Sequence, residues 1–114
     1  SGPFHSQMMH PAEETLQHVL KEAELRDPLF PVIANVNAAP CTTAEAAEKN
    51  LVRQLSQAVL FEQSIRWCLD QGITTFIEMG PGHTLAGLIK KIDRQVRVIS
   101  LEKIGDLEKA LELA

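Results

Sequence analysis

The stretch "ITTFIEMGPGHTLAGLIKKIDRQVRVIS", residues 73–100, sets the tightest limit on the fold. A β-rich run, "ITTFIEM", ends in "GPG". A helical pattern follows, with Leu85, Leu88, Ile89 and Ile92 in phase, and a second β-type run, "VRVIS", comes next. Two strands joined through a helix pair in parallel, because a parallel neighbour can be reached only by a crossover of about a dozen residues or more.

The rest of the chain repeats this alternation. "MMHPAEETLQHVLKEAEL" places Pro11 where a first helical turn tolerates it. Ala12, Leu16, Val19, Leu20 and Ala23 then form one face, predicting a helix over about residues 11–24. Pro28 and Pro31 bar helix in the next segment, and "PVIANV" reads as a short buried strand near 31–36. "TTAEAAEKNLVRQLSQAV" opens on a capping box from Thr42 to Glu45 and carries Ala47, Leu51, Leu55 and Val59 on one face. "FEQSIRWCLDQG" adds a helix with Phe61, Ile65, Cys68 and Leu69 in phase, stopped at Gly72. "GDLEKALELA" closes the chain as a helix with Leu107, Ala110, Leu111 and Ala114 aligned.

The predicted class is α/β, a three-stranded, mostly parallel sheet with crossover helices, and no linker or repeat marks a domain boundary. Three strands make a narrow sheet for an architecture that needs both faces and edges covered. With 114 residues and no initiating methionine, the chain reads as a piece of a larger fold. Bare strand edges and a bare helix face then predict that it stays bound to the remainder or self-associates.

Composition excludes several classes of function. Apolar residues at 45% and charged residues at 23% are ordinary for a folded domain. A formal net charge of -4 offers no overall electrostatic footprint for nucleic acid. Cys41 and Cys68 lie far apart with no CxxC spacing, so they read as reduced thiols, without a disulfide framework or a zinc site. No apolar run approaches the length needed to cross a bilayer, so no membrane role is expected.

His5 stands in a Gly-Pro loop between Phe4 and Ser6. Loops present functional side chains, and imidazole suits proton transfer near neutrality; a solvated histidine, or a Gly-Pro scar of tag removal, fits the same residues. Ser6 cannot partner His5, since adjacent side chains diverge, and no G-x-S-x-G elbow occurs in the chain. His10, His18 and His83 have no metal-type spacing and read as surface groups. The amides of "GPGHTLAGL" either receive an anion or simply form a strand-to-helix turn. Lys90, Lys91, Arg94 and Arg97 concentrate positive charge on an acidic chain, as either a contact for an acidic partner or a solvated helix face.

Taken in order, "SGPFHS" before a helix, "PVIANV", "LVRQL" and "GPGHTLAGLIKKI" resemble the C-terminal portion of malonyl-CoA:acyl carrier protein transacylases of bacterial type II fatty acid synthesis. The resemblance runs over essentially the whole chain. It implies the C-terminal part of an α/β-hydrolase-like acyltransferase large subdomain, working in the cytoplasm. His5 would be the catalytic histidine, serving a serine on a G-H-S-x-G elbow. That serine takes malonyl from coenzyme A as an ester and yields it to the phosphopantetheine thiol of acyl carrier protein. The backbone carbonyl of Gln54 would orient His5. Phe4 and Asn35 would belong to the substrate pocket, Phe4 through the Phe-His pair of malonyl-selective enzymes. Lys90 and Lys91 would meet the carrier protein. Malonyl-CoA is a substrate, so no cofactor and no metal is implied. The serine elbow, its oxyanion-hole amides, the arginine for the malonyl carboxylate and the ferredoxin-like small subdomain would lie in an N-terminal half absent here, leaving the fragment inactive alone. Two further readings fit the same residues: the acyltransferase domain of a polyketide synthase, and a non-catalytic module that binds carrier protein.

Overall fold

The computed structural model describes residues 2–112. Ser1 and Ala114, which the sequence patterns include, lie outside the described residues. The chain divides into two compact units, Ser1–Ser64 and Ile65–Ala114.

In the first unit a 3-10 turn, Gln7–Met9, runs into helix α1, His10–Glu22, whose first turn holds Pro11. A proline costs nothing there, since the first amides of a helix have no helical acceptor. Strand β1, Val32–Ile33, pairs antiparallel with β2, Pro40–Cys41, in the register Val32↔Cys41 and Ile33↔Pro40. The strand expected over 31–36 is therefore shorter than its apolar run. The chain turns back because Ala34 N–H bonds the Ala39 carbonyl at 3.0 Å and Ala38 N–H the Ala34 carbonyl at 2.9 Å, with Ala38 at φ 53°. The Asn37 side chain tightens this turn by accepting from Ala39 N–H at 3.1 Å.

Helix α2, Ala44–Gln54, packs against α1. Its cap is Thr43, one residue later than the sequence reading, because Thr43 has the extended backbone a cap needs and accepts from Ala46 N–H at 3.2 Å. Asp27 adds a second cap from a distance, accepting from Ala44 N–H at 2.7 Å. The helix stops at Gln54, short of Leu55 and Val59. There the chain tightens into turns, with Ser56 N–H on the Arg53 carbonyl at 3.3 Å and Gln57 N–H on the same oxygen at 3.2 Å.

Helix α3 runs from Phe61 to Asp70 and ends as the sequence predicts, at a glycine with φ 82°. Gly72 N–H bonds the Leu69 carbonyl at 2.9 Å and Ile73 N–H the Cys68 carbonyl at 3.1 Å, the paired bonds of a Schellman cap. Strand β3, Thr75–Met79, helix α4, Thr84–Ile92, and strand β4, Arg97–Leu101, complete the predicted parallel unit. Its register runs from Thr75↔Arg97 to Met79↔Leu101. A 3-10 turn, Ile104–Asp106, leads into the short helix α5, Leu107–Leu111.

The α/β character holds, but the three-stranded sheet does not form among the described residues. Two separate two-stranded sheets stand in its place. β1 uses its hydrogen bonds on the hairpin to β2, whereas β3 and β4 pair in parallel through α4. Among the described residues, Ala34, Val36 and Cys41 are the buried apolar residues of the first unit, and Ile65, Ile89 and Val96 those of the second.

Candidate functional site

His5 occupies the left-handed region at φ 59°, a conformation that L-residues other than glycine adopt at a cost and that concentrates at functional sites. Two hydrogen bonds hold it there. Its N–H donates to the Leu55 carbonyl at 3.0 Å, and its ring Nδ1 lies 2.7 Å from the Gln54 carbonyl oxygen. A carbonyl only accepts, so Nδ1 carries the hydrogen and Nε2 of the neutral ring keeps its lone pair. The ring is exposed, and that lone pair is open to a donor brought from outside.

The acceptors come from the end of α2. The last carbonyls of a helix have no amide ahead of them, and where α2 stops at Gln54 those of residues 54 and 55 are taken by His5. The neighbouring turn is built locally. Ser6 donates its hydroxyl to the Pro3 carbonyl at 2.6 Å, so it is directed away from His5 chemistry. Phe4 is 67% exposed, and its ring covers Gly2 so closely that a Cβ there would stand 2.8 Å from Phe4 Cε2.

Gln54 works in two directions. While its main chain meets His5, its side-chain oxygen accepts from Asn35 Nδ2 at 3.3 Å. The Asn35 carbonyl in turn accepts from Leu60 N–H at 2.8 Å, which pins the turn between β1 and β2. Asn35 and Gln54 line a cavity of about 300 Å³ walled chiefly by apolar groups, Val32, Ile33, Cys41 and Leu51 among them. Phe4 and His5 are not among its walls.

The "GPG" turn uses its amides internally. Glu78 accepts from Leu85 N–H at 3.0 Å and Ala86 N–H at 2.9 Å, and Glu102 accepts from Gly82 N–H at 2.6 Å. The chain's own carboxylates thus sit where the anion-binding reading placed a ligand, and the turn reading is the one the structure matches. His83 Nε2 is 3.9 Å from Glu102. In the last turn of α4, where the dipole favours cations, Lys90 donates to the Val96 carbonyl and, at 3.4 Å, to the Arg94 carbonyl, while Lys91 is exposed.

Glu13 and Ser56 carry no sequence signal. The buried Ser56 hydroxyl donates to the Glu13 carboxylate, and this bond, followed by that of His10 at 3.1 Å, holds the Glu13 carboxyl below the ordinary range. Burial pushes the Cys68 thiol up. No group of three metal-ligating side chains occurs among the described residues, and no helix among them is long and apolar enough to cross a membrane.

The solved structures that this chain resembles share an α/β acyltransferase fold. An acyl-carrier-protein S-malonyltransferase from Bartonella henselae superposes with a TM-score of 0.94 at 31% identity, over 99% of this chain and 36% of that one. A type II PKS acyl-carrier protein in complex with its malonyl-transacylase contains a chain matching at a TM-score of 0.93 and 35% identity, over 100% of this chain and 37% of that one. In sequence, the malonyl CoA-acyl carrier protein transacylase of Staphylococcus aureus (strain COL) is 45% identical over 108 residues, covering 95% of this chain and 35% of the relative. No protein-family model matches the chain. The chain spans about a third of the length of these relatives. Over that third it matches the malonyl CoA-acyl carrier protein transacylases in both sequence and fold.

Proposed function

We propose that this chain is the histidine-bearing, C-terminal part of the large subdomain of a malonyl-CoA:acyl carrier protein S-malonyltransferase of fatty acid biosynthesis, working in the cytoplasm. The observation that carries the reading is the 2.7 Å contact of His5 Nδ1 with the Gln54 carbonyl, which leaves Nε2 as a base. In the first half-reaction a serine hydroxyl, supplied by polypeptide outside these residues, gives its proton to Nε2. The serine oxygen then attacks the malonyl thioester carbonyl. The tetrahedral adduct collapses, and the coenzyme A sulfur leaves with the proton held on Nε2. In the second half-reaction the phosphopantetheine thiol of the carrier protein yields its proton to Nε2 and attacks the seryl ester. The serine oxygen leaves and takes the proton back.

During each step the ring is transiently an imidazolium. The carbonyls at the end of α2 face it with partial negative charge, a role that a carboxylate plays in many Ser-His systems. No cofactor or metal is required by this chemistry, and malonyl-CoA enters as a substrate. Asn35 supports the cavity wall beside Gln54, and Phe4 flanks the entering acyl group. Lys91, together with Lys90, meets the acidic carrier protein at the end of α4. Exposed apolar side chains such as Leu29 at 99% and Met79 at 80% support a cover supplied by the remaining two-thirds of the enzyme.

The test is complementation. Malonyl transfer from malonyl-CoA to carrier protein is measured with the chain alone and with the chain joined to the serine-bearing segment. The chain alone is expected to show none. The joined protein is expected to be active and to lose about 10²–10⁴-fold on His5→Ala, as for removal of a general base. Transfer that survives His5→Ala would overturn the reading and leave the chain as a non-catalytic carrier-binding module.

A further inference from the structure

Residues 54–56 are held from two sides. From one side His5 takes the carbonyls of Gln54 and Leu55, through ring Nδ1 at 2.7 Å and its N–H at 3.0 Å. From the other, Ser56, only 6% exposed, donates its hydroxyl to Glu13 in the first turn of α1. The chain between the two anchors is short and internally braced. Met9 N–H bonds the Ser6 carbonyl at 2.9 Å, and His10 Nδ1 lies 3.1 Å from Glu13.

The segment 5–13 is thus fastened at both ends to the same three residues, and a shift at one fastening moves the other. His5 is the end under strain, at φ 59°. A disfavoured backbone persists only where its surroundings over-determine it. The two bonds to 54 and 55 supply that only while the end of α2 keeps its place against the start of α1.

The geometry points to Glu13 and Ser56 as positioning residues for His5: their hydrogen bond keeps the end of α2 in register with α1, and so keeps the Gln54 and Leu55 carbonyls where they orient the ring. Without Glu13 the Ser56 hydroxyl has the Arg53 carbonyl at 3.5 Å, a contact within its own turn that says nothing about α1. The catalytic consequence rests on the reading of His5 as a base. The effect on the ring does not.

The test is carried out in the full chain, by ¹⁵N-edited NMR of the His5 ring and by hydrogen exchange at the His5 amide. Losing a hydrogen bond to a charged group predicts His5 amide exchange faster by roughly ten-fold or more in Glu13→Ala and in Ser56→Ala, with the neutral ring moving from the Nδ1–H tautomer towards Nε2–H. The double variant is expected to go no further than either single one, and Glu13→Gln, which still accepts from Ser56, to restore the parent behaviour. Parent-like His5 signals in both single variants would overturn the inference, as would Glu13→Gln behaving like Glu13→Ala. Glu13 lies near the surface, so its variants decide the matter even where Ser56→Ala does not fold. Activity separates this inference from the functional one. Transfer that survives His5→Ala while the ring still responds to Glu13 sinks the functional reading alone. An unresponsive ring in a His5-dependent enzyme sinks only this one.

Discussion

His5 is oriented by an oxygen that every residue possesses, which makes the identity of Gln54 matter less than its place at the end of α2. Gln54→Ala keeps the carbonyl that receives His5 Nδ1 and removes the side-chain contact with Asn35. In the serine-bearing protein, kcat/KM is therefore expected to fall by less than about ten-fold, far from the roughly 10²–10⁴-fold expected of His5→Ala. Equal losses in the two variants would mean that the amide side chain, rather than the main chain, is the working group. The sequence singles out His5 by its residue type and its loop. Its acceptor lies 49 positions away and has no side-chain signature, so only a resemblance to known enzymes pointed there. Glu13 and Ser56 belong to residue types common on any helix surface, and nothing in their spacing links them.

The ends of the secondary structure elements bear the most local information and make the sharpest tests of stability. Gly72 caps α3 at φ 82°, and a Cβ added there would have nothing within 4 Å, so Gly72→Ala meets no clash and its cost is that of the left-handed backbone alone. Urea unfolding should show a loss of about 1–2 kcal/mol with an unchanged slope. An unchanged midpoint would show that the cap contributes nothing. Asp106 closes the start of the 3-10 turn that leads into α5 by accepting from Lys103 N–H and Glu102 N–H, both at 3.0 Å, and it pairs with Lys109 at 3.3 Å. These bonds, that of Lys103 first, hold its carboxyl below the ordinary aspartate range. A lowered native value stabilises the fold above the ordinary range, and this contribution disappears as the pH falls through the native value. Amide protection at Glu102 and Lys103 should therefore decline on acidification, and Asp106→Asn should flatten that decline. An identical acid profile in the variant would remove Asp106 from the account. Local pattern was a good guide at Gly72 and one residue off at Thr43, since Thr42 and Thr43 offer the same hydroxyl and only backbone geometry chooses between them.

At the level of the entire chain, charge is unevenly distributed: a net charge of -4 coexists with the basic end of α4. Lys90 directs its ammonium to the Val96 and Arg94 carbonyls, which leaves Lys91 as the residue to alter without disturbing the turn. In the serine-bearing protein, Lys91→Glu is expected to raise KM for the carrier protein several-fold and leave KM for malonyl-CoA unchanged, with the difference shrinking as added salt screens the pair. Equal effects on both substrates would place Lys91 outside the carrier contact. Periodicity along the chain was enough to settle the α/β class, the helices and the parallel pairing of β3 with β4, because a helix between two β-type runs permits little else. It could not settle the partner of β1 or the meeting of residue 5 with residues 54 and 55. Those depend on where a turn closes and where a helix stops, and main-chain donors and acceptors are chemically alike at every position until folding brings particular ones together.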